Sequence, residues 1–253
     1  MGVASLAMSH APHPVLKQYY RSDGDRQSFV TALFDGGARH YDRVCRLMSL
    51  GSGQRYRRWA LQRVALRPGM KLLDVATGTG LVARSAMRIL REPSAVVGLD
   101  PSAGMLREAR KTLSGPLVQG HMETLPFRAD LFDVLTIGYA LRHAADLEVS
   151  FHECLRVLKP GGRLLILEIS RAPSAGRQGV LRFYFTQVLP LIMRLSTRNR
   201  HAQILPRYYW DTIATCVPPD VILESLRRSG FVDVERRVIG GFLSEYVAVK
   251  TAR

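Results

Sequence analysis

The stretch Lys71–Gly80, KLLDVATGTG, carries the densest chemical signal in the chain. Leu72–Leu73 and Val75–Ala76 form an apolar run short enough for a buried strand. The run ends in Gly78-Thr79-Gly80 and passes straight into a helical pattern of Leu81, Val82, Ala83, Ala86, Met87 and Leu90. A strand, a glycine turn and a helix start bring bare backbone close to a nucleotide. A glycine pair alone equally fits a tight turn in any α/β protein. The next apolar strand, Ala95–Leu99, ends in Asp100. A carboxylate at that strand tip can accept from both ribose hydroxyls of an adenosine-type ligand.

Two details choose among such ligands. The third glycine of the dinucleotide fingerprint is missing, because position 83 is Ala83, and an acid, Asp74, precedes the turn. Acid-x-x-x-Gly-x-Gly suits S-adenosylmethionine better than a pyrophosphate cofactor. It has no phosphate to cradle, and a carboxylate near its sulfonium and amino group is favourable.

The elements that must hold these residues alternate. Residues 1–28 are polar and proline-bearing, with a charged cluster from Arg21 to Arg26, and predict a poorly ordered arm or a lid. Phe34 to Leu66 reads as a helical cap broken at Gly51-Ser52-Gly53 and closed by Pro68-Gly69. After Asp100, Ser102 N-caps a helix running to Leu113, and Gly115-Pro116 breaks it. Leu117–Gln119 is a third strand, His121-Met122-Glu123 heads a loop, and Phe132–Ile137 is a fourth strand. Leu147–Leu158 is a helix, Lys159-Pro160-Gly161-Gly162 a stop and turn, and Arg163–Ile169 a fifth strand. Val180–Leu195 is apolar on most sides and bracketed by arginines. It fits a buried insertion helix or an interfacial one. Asp220–Ser229 is a helix, and Phe231–Val238 and Phe242–Val249 are closing strands. The order predicts an α/β, doubly wound, Rossmann-like sheet with an N-terminal helical cap and a helical insertion after strand five. The expected divisions are 1–67 for arm and cap, 68–170 for the cofactor-binding core, and 171–253 for the insertion and closing strands.

Composition bounds the rest. The 253 residues are 47% hydrophobic and 23% charged, ordinary for a globular chain with a substantial core. Cys45, Cys154 and Cys216 are too scattered for a metal site or a disulfide framework and are expected to be reduced thiols; no metal is predicted. The net charge of +15 implies an anionic partner, or arginines spread on solvated faces. Eight arginines and no lysine lie between Arg39 and Arg67. Candidate partners are an anionic membrane surface and an acidic carrier protein; a homodimer is a further expectation. Nucleic acid is disfavoured, because no Asn/Asp-Pro-Pro-Tyr/Phe motif for flipped bases is present. The start lacks a signal-peptide pattern, and no stretch reaches the 18 or so apolar residues of a span. The expected location is cytoplasmic, with peripheral attachment to the inner membrane face as the extension.

The motifs FDGGARHYDRVCRLMSLG, LLDVATGTG, GLDPSAGML, ETLPF, TIGYALRHAAD and ECLRVLKPGGRLLILEIS together resemble the ubiquinone/menaquinone C-methyltransferase family. The resemblance runs from Phe34 to Ile169 and stays collinear to Lys250. It implies methylation of a quinol-like, polyprenylated ring by S-adenosylmethionine. It also implies that Tyr41 and Thr79 lie along the cofactor, with Gly78 and Gly80 giving close backbone approach. Asp100 would hold the ribose, His121 and Met122 flank the adenine, and Gly138 sit beside the methionine end. Arg142 stands where the family carries an arginine proposed to handle a proton. The resemblance is that of a divergent member. His121 stands where the family has Asp or Asn, Gly138 where it has Ser, His143 where it has Asn, and Tyr246 where it has His. Tyr209–Pro218 replaces a segment that carries Glu-Ser-Ile-Arg.

Methyl transfer from a sulfonium is an in-line displacement that needs alignment and dryness. Carbon methylation beside a phenol also needs a proton removed. Arginine stays protonated and is a poor base, whereas histidine titrates in range. Arg142 and His143 are therefore the paired catalytic candidates, with a hydrogen-bonded loop histidine the other reading of His143; His152 reads as structural or exposed. The expected function is C-methylation of a lipophilic phenolic or quinol-like acceptor. O- or N-methylation of a polyketide or lipid headgroup, and a non-catalytic cofactor-binding scaffold, stand as alternatives.

Overall fold

The computed structural model describes residues 11–171 and 174–252. A 26-residue helix α1, Asp23–Met48, opens the ordered core and is N-capped by Ser22 in a reciprocal capping box with Asp25. Helix α2, Gly53–Arg63, follows the predicted break. Then come β1 (Leu72–Val75), α3 (Leu81–Leu90), β2 (Val96–Asp100), α4 (Ala103–Ala109), β3 (Leu117–Gln119), β4 (Phe132–Gly138), α5 (Leu147–Val157) and β5 (Leu158–Ile169). An inserted run holds α6 (Ala175–Phe183), a π-helical turn Tyr184–Val188, α7 (Leu189–Ser196) and α8 (Arg200–Thr215). Helix α9 (Pro219–Arg228) and strands β6 (Phe231–Ile239) and β7 (Leu243–Lys250) close the chain.

The strands form one sheet in the order β3-β2-β1-β4-β5-β7-β6. The first five are parallel, while β7 runs antiparallel to both β5 and β6. Alternation along each strand feeds two cores. Leu73, Val75, Leu135, Ile137, Leu164 and Ile166 pack with Phe151 of α5 and Leu226 of α9 on one face. Leu72, Val134, Leu165 and Leu167 pack with Ala60 and Leu61 of α2 and Ala86 of α3 on the other. Each fully buried aliphatic side chain contributes about 1.5–3 kcal/mol. A third cluster, rich in aromatics, joins the arm and α1 to the inserted helices through Leu16, Tyr20, Leu33, Phe185, Leu189 and Tyr208.

Four local readings change. Residues 11–22 are not a loose arm: His13, Leu16 and Tyr20 are buried, the Val217 amide donates to the Pro12 carbonyl at 2.8 Å, and Tyr19 donates to Asp211 at 2.6 Å. Residues 1–10 of that expected arm lie outside the described residues. The helix capped by Ser102 ends at Ala109 rather than Leu113, and its last residues turn through Leu113 onto Ala109. Strand β5 begins at Leu158, with the predicted Lys159–Gly162 turn carried as an irregularity between the Phe132–Leu158 and Val134–Arg163 pairs. Helix α8 has no counterpart in the sequence reading, because Pro206 inside it and three consecutive aromatics, Tyr208–Trp210, obscure the helical period. All three cysteines are free thiols. Among the described residues, no helix is long and apolar enough to cross a membrane, and no group of three or more acids, histidines or cysteines is placed to hold a metal.

Candidate active site

The sheet changes winding direction between β1 and β4, and ligands of open α/β sheets bind outside the carboxyl ends of strands at such a point. Both strands leave the sheet through a left-handed residue: Ala76 at φ 53° and Tyr139 at φ 61°. Such conformations cost about 1–3 kcal/mol each and persist where the surroundings over-determine them. Ala76 and Tyr139 both line a cleft of about 720 Å³ at this point. The cleft gathers Tyr41, Gly78, Asp100, His121, Met122, Gly138 and His143 from five separate stretches of chain.

The glycine turn is held from both sides. Asp100 accepts from the Gly78 amide at 2.7 Å and the Ser102 amide at 2.9 Å, which fixes the β2 tip against the β1 turn. Burial pushes the Asp100 carboxyl up to about 6. Gly78 sits at φ 58°, and an added Cβ would project toward Tyr41 Cε1, 3.8 Å away, into the cleft that both residues line. Gly138 has no room for a side chain, since a Cβ there would come 2.7 Å from Val82 Cγ2.

Three predicted cofactor residues face elsewhere. Asp74 is 1% exposed and does not line the cleft. Its carboxylate accepts from the Thr77 and Thr136 hydroxyls, each at 2.6 Å, and from the Ala83 amide at 3.2 Å. It staples the turn to α3 and β4 rather than facing a sulfonium, and burial pushes it too up to about 6. Thr79 turns its hydroxyl to Asp42 of α1. Gly80, at φ 84°, N-caps α3, and a Cβ there would lie 2.4 Å from Leu113 Cδ1, so its glycine is required by packing.

Helix α1 is the front wall. Arg26 donates to the carbonyls of Ala144 and Ala145, both at 3.0 Å. Asp35 accepts from Ser102 Oγ at 2.5 Å and the Gly104 amide at 2.7 Å, and Asp42 accepts from Arg84 at 2.8 Å as well as from Thr79. The sequence reading gave no role to Asp35, and named Asp42 only in the Tyr41-Asp42 pair of the family resemblance. Their spacing of seven on one helical face was the available signal.

The adjacent pair Arg142–His143 is split. The His143 ring lines the cleft, stacks on Tyr208 at 5.6 Å and meets Phe34 edge-on at 5.2 Å. Its Nδ1 is 3.4 Å from the Tyr208 hydroxyl, and its Nε2 has no hydrogen-bond partner. Burial, reinforced by Arg142, holds its pKa well below the ordinary histidine range, so the ring is neutral. Arg142, 1% exposed, faces a second cavity behind the cleft. It is ion-paired with Glu168 of β5, which also accepts from the Leu141 amide at 2.9 Å. The Tyr139 carbonyl also accepts from Arg142 at 3.4 Å, and Thr212 and the face of Tyr209, both on α8, pack beside it. The two residues therefore do not form one proton-handling unit. The ionisable Glu168 inside the apolar run LLILEI was the legible sign of a buried partner.

Tyr41 and Tyr139 line both spaces and form the partition between them. The rear cavity, about 1120 Å³, is walled mainly by apolar and aromatic groups, among them Met48, Leu50, Ile169, Tyr209 and Phe242. Tyr209 donates to the Tyr41 hydroxyl at 3.1 Å.

Comparison with known proteins settles the lineage. The ubiE/COQ5 methyltransferase family model matches residues 21–250. The chain belongs to the ubiE/COQ5 methyltransferase family. A demethylmenaquinone methyltransferase of Streptomyces avermitilis is 35% identical over 227 residues, covering 88% of this chain and 96% of the relative. The ubiquinone/menaquinone biosynthesis C-methyltransferase of Geobacter sulfurreducens is 38% identical over 184 residues, 70% of this chain and 72% of its own. Among solved structures, a Thermotoga maritima S-adenosylmethionine-dependent methyltransferase, described as a possible histamine N-methyltransferase, superposes with a TM-score of 0.59 at 18% identity, over 87% of this chain and 99% of that one. A [4+2]-cyclase, SpnF, shares the fold with a TM-score of 0.55 at 19% identity, over 79% and 81% of the two chains. Fold alone therefore does not name the reaction; family membership does. This member of the ubiE/COQ5 family is an S-adenosylmethionine-dependent methyltransferase.

The cleft fits that cofactor. An acid stands at the β2 tip, the Gly78 backbone is bare, and Leu99, Met105 and Met122 supply apolar surface for a purine. His121, exposed and 3.3 Å from Gln27, lies at the rim.

Proposed function

We propose that this family member C-methylates a lipophilic phenolic or quinol-like acceptor. The carrying observation is the pair of cavities that share Tyr41 and Tyr139, one polar at Asp100 and one broad and apolar. In this reading Asp100, Gly78 and Met122 hold the cofactor, with His121 at its adenine edge and Gly138 at its methionine end. The acceptor ring enters from the rear cavity. When bound, S-adenosylmethionine supplies an electrophilic methyl group on a sulfonium. Tyr41 and Tyr139 align the ring, and the aromatic walls exclude water. The ring carbon that gains the methyl must then lose its hydrogen to recover aromaticity. His143 Nε2, unpartnered and neutral, takes that proton. A weak base suffices, because rearomatisation makes the departing proton strongly acidic. Arg142 positions the Leu141–His143 turn through Glu168.

The names of the relatives point to demethylmenaquinol as first acceptor. Purified protein would be given methyl-labelled cofactor and reduced demethylmenaquinone with a short prenyl tail. Label on a ring carbon supports the reading. Label on oxygen transfers it to the O-methyltransferase class, and cofactor binding without turnover of any phenol or quinol leaves the scaffold reading.

The inserted helices favour delivery from a membrane. Val180, Phe183, Leu191 and Leu195 are exposed and recur along α6 and α7 with helical spacing, flanked by exposed Arg182, Arg194 and Arg198. The Tyr184 hydroxyl ties this run to the Leu47 carbonyl at 2.7 Å, beside exposed Leu50 at the rear cavity. The arginines complement anionic headgroups. Flotation with vesicles containing phosphatidylglycerol, against neutral vesicles, tests the assignment; equal absence from both refutes it.

A further inference from the structure

The rear cavity contains two guanidinium groups, and only one is neutralised. Arg142 has Glu168. Arg57 of α2 is 7% exposed, and among the described residues it has neither a carboxylate partner nor a hydrogen bond. The acids on neighbouring elements are engaged: Glu168 with Arg142, Glu245 with Arg63, and Asp42 with Arg84. The Arg57 guanidinium carbon sits 5.4 Å from the centroid of Tyr139, the residue that divides the two cavities. Apart from a longer-range attraction to the buried carboxylate of Asp74, that contact is the one the side chain makes. Gly53, one turn earlier, makes its space: a Cβ there would lie 2.8 Å from Arg57 Nη1.

An arginine cannot shed its proton to relieve burial. A buried cation without an ion-pair partner is unfavourable, and its buried Nε–H has no acceptor. A charge kept in such a place against an apolar wall is complete only when an anion arrives. The cavity is broad and aromatic, so the anion belongs to a flat hydrophobic molecule.

We infer that the rear cavity is a binding site for an aromatic oxyanion, a phenolate or carboxylate, and that Arg57 is the residue that selects the ionised form. The inference rests on the rear cavity being the acceptor's place. It gives the acceptor's oxygen its own recognition group, separate from Arg142. An ionised ring oxygen also pushes electrons into the ring, so binding and activation are one event. The hydroxyl proton leaves to solvent when the phenolate binds, and no co-reactant is consumed.

The experiment compares anions with neutral isosteres in the intact protein. Binding of 1-naphthoate and 1-naphthamide is measured by calorimetry, and 4-nitrophenol is followed by the visible absorbance of its phenolate. In the native protein 1-naphthoate binds at least about tenfold tighter than the amide, or 4-nitrophenol gains phenolate absorbance on binding. Which arm responds names carboxylate or phenolate. In Arg57→Met the preference collapses to about onefold while affinity for S-adenosylhomocysteine is kept, and Arg57→Lys restores part of it. If Arg57→Met does not fold, the native comparison still decides. Equal binding of anion and isostere overturns the role of Arg57 and leaves the acceptor cavity standing. Tight anion binding that fails to compete with the quinol acceptor keeps the anion site and removes the acceptor from it. Binding of neither probe overturns the inference.

Discussion

Arg142 and His143 are consecutive, yet the imidazole lines the cofactor cleft and the guanidinium faces the rear cavity beside Glu168. The 3₁₀ turn Leu141–His143 produces the split, by pointing successive side chains to different sides of the Tyr41–Tyr139 partition. Different phenotypes are expected from the two neighbours.

Arg142→Ala leaves Glu168 buried and unpaired and lowers stability by about 3–5 kcal/mol. The double variant Arg142→Met/Glu168→Leu recovers most of that loss. Denaturant midpoints for the single and double variants check the pair; full stability in Arg142→Ala would contradict it.

His143→Ala is a loss of rate, not of fold. The turnover number falls by about 10²–10⁴-fold, the typical worth of a positioned acid or base. Affinity for S-adenosylhomocysteine, measured by calorimetry, stays within twofold, about 0.4 kcal/mol. Near-native turnover would remove His143 from the chemistry.

Asp100 gives opposite pH signatures to stability and to binding. Its carboxyl, near 3.8 when exposed, rises to about 6 in the fold. The folded protein therefore holds this proton more tightly than the unfolded chain. The stabilisation from this group is complete below about pH 4 and is lost as pH rises through about 6. Ribose hydroxyls need the ionised acceptor. Cofactor affinity is thus flat above neutrality and weakens by up to about tenfold per unit below pH 6. Titration calorimetry from acid to neutral pH reads this directly. Asp100→Asn must bind weakly and lose most of that dependence.

Gly80→Ala combines a left-handed backbone with a collision at Leu113. A loss of about 1–3 kcal/mol is expected, visible as a lower denaturant midpoint. An unchanged midpoint would mean that Leu113 yields without cost.

Much of the frame was legible. The near-continuous apolar runs LLDV, VVGLD and LLILEI need cover on both faces, so with helices between them they read as a doubly wound sheet. Ser102 kept the role its type suggests, capping α4. Asp74 did not, because a carboxylate near the glycines has two uses, and sequence cannot say whether it faces a ligand or its own turn. Hydrogen bonds from Thr77 and Thr136, 62 residues beyond Asp74, decided for the turn. The stretch at 11–22 looked loose for a similar reason: its apolar residues are few, and their partners lie about 190 residues away on α8.

The sequence by itself determined the local elements: which residues alternate, where glycine must turn the chain, and which motif belongs to a methyl-donor fold. These are short-range properties of side-chain period and backbone freedom. Only the tertiary structure decided which polar groups face the cavities and which face each other. Glu168 pairs with Arg142, whereas Arg57 has no ion-pair partner among the described residues, and that difference depends on how β5, α2 and the 141–143 turn pack. Charge pairing falls off over a few ångströms in space and is indifferent to separation along the chain.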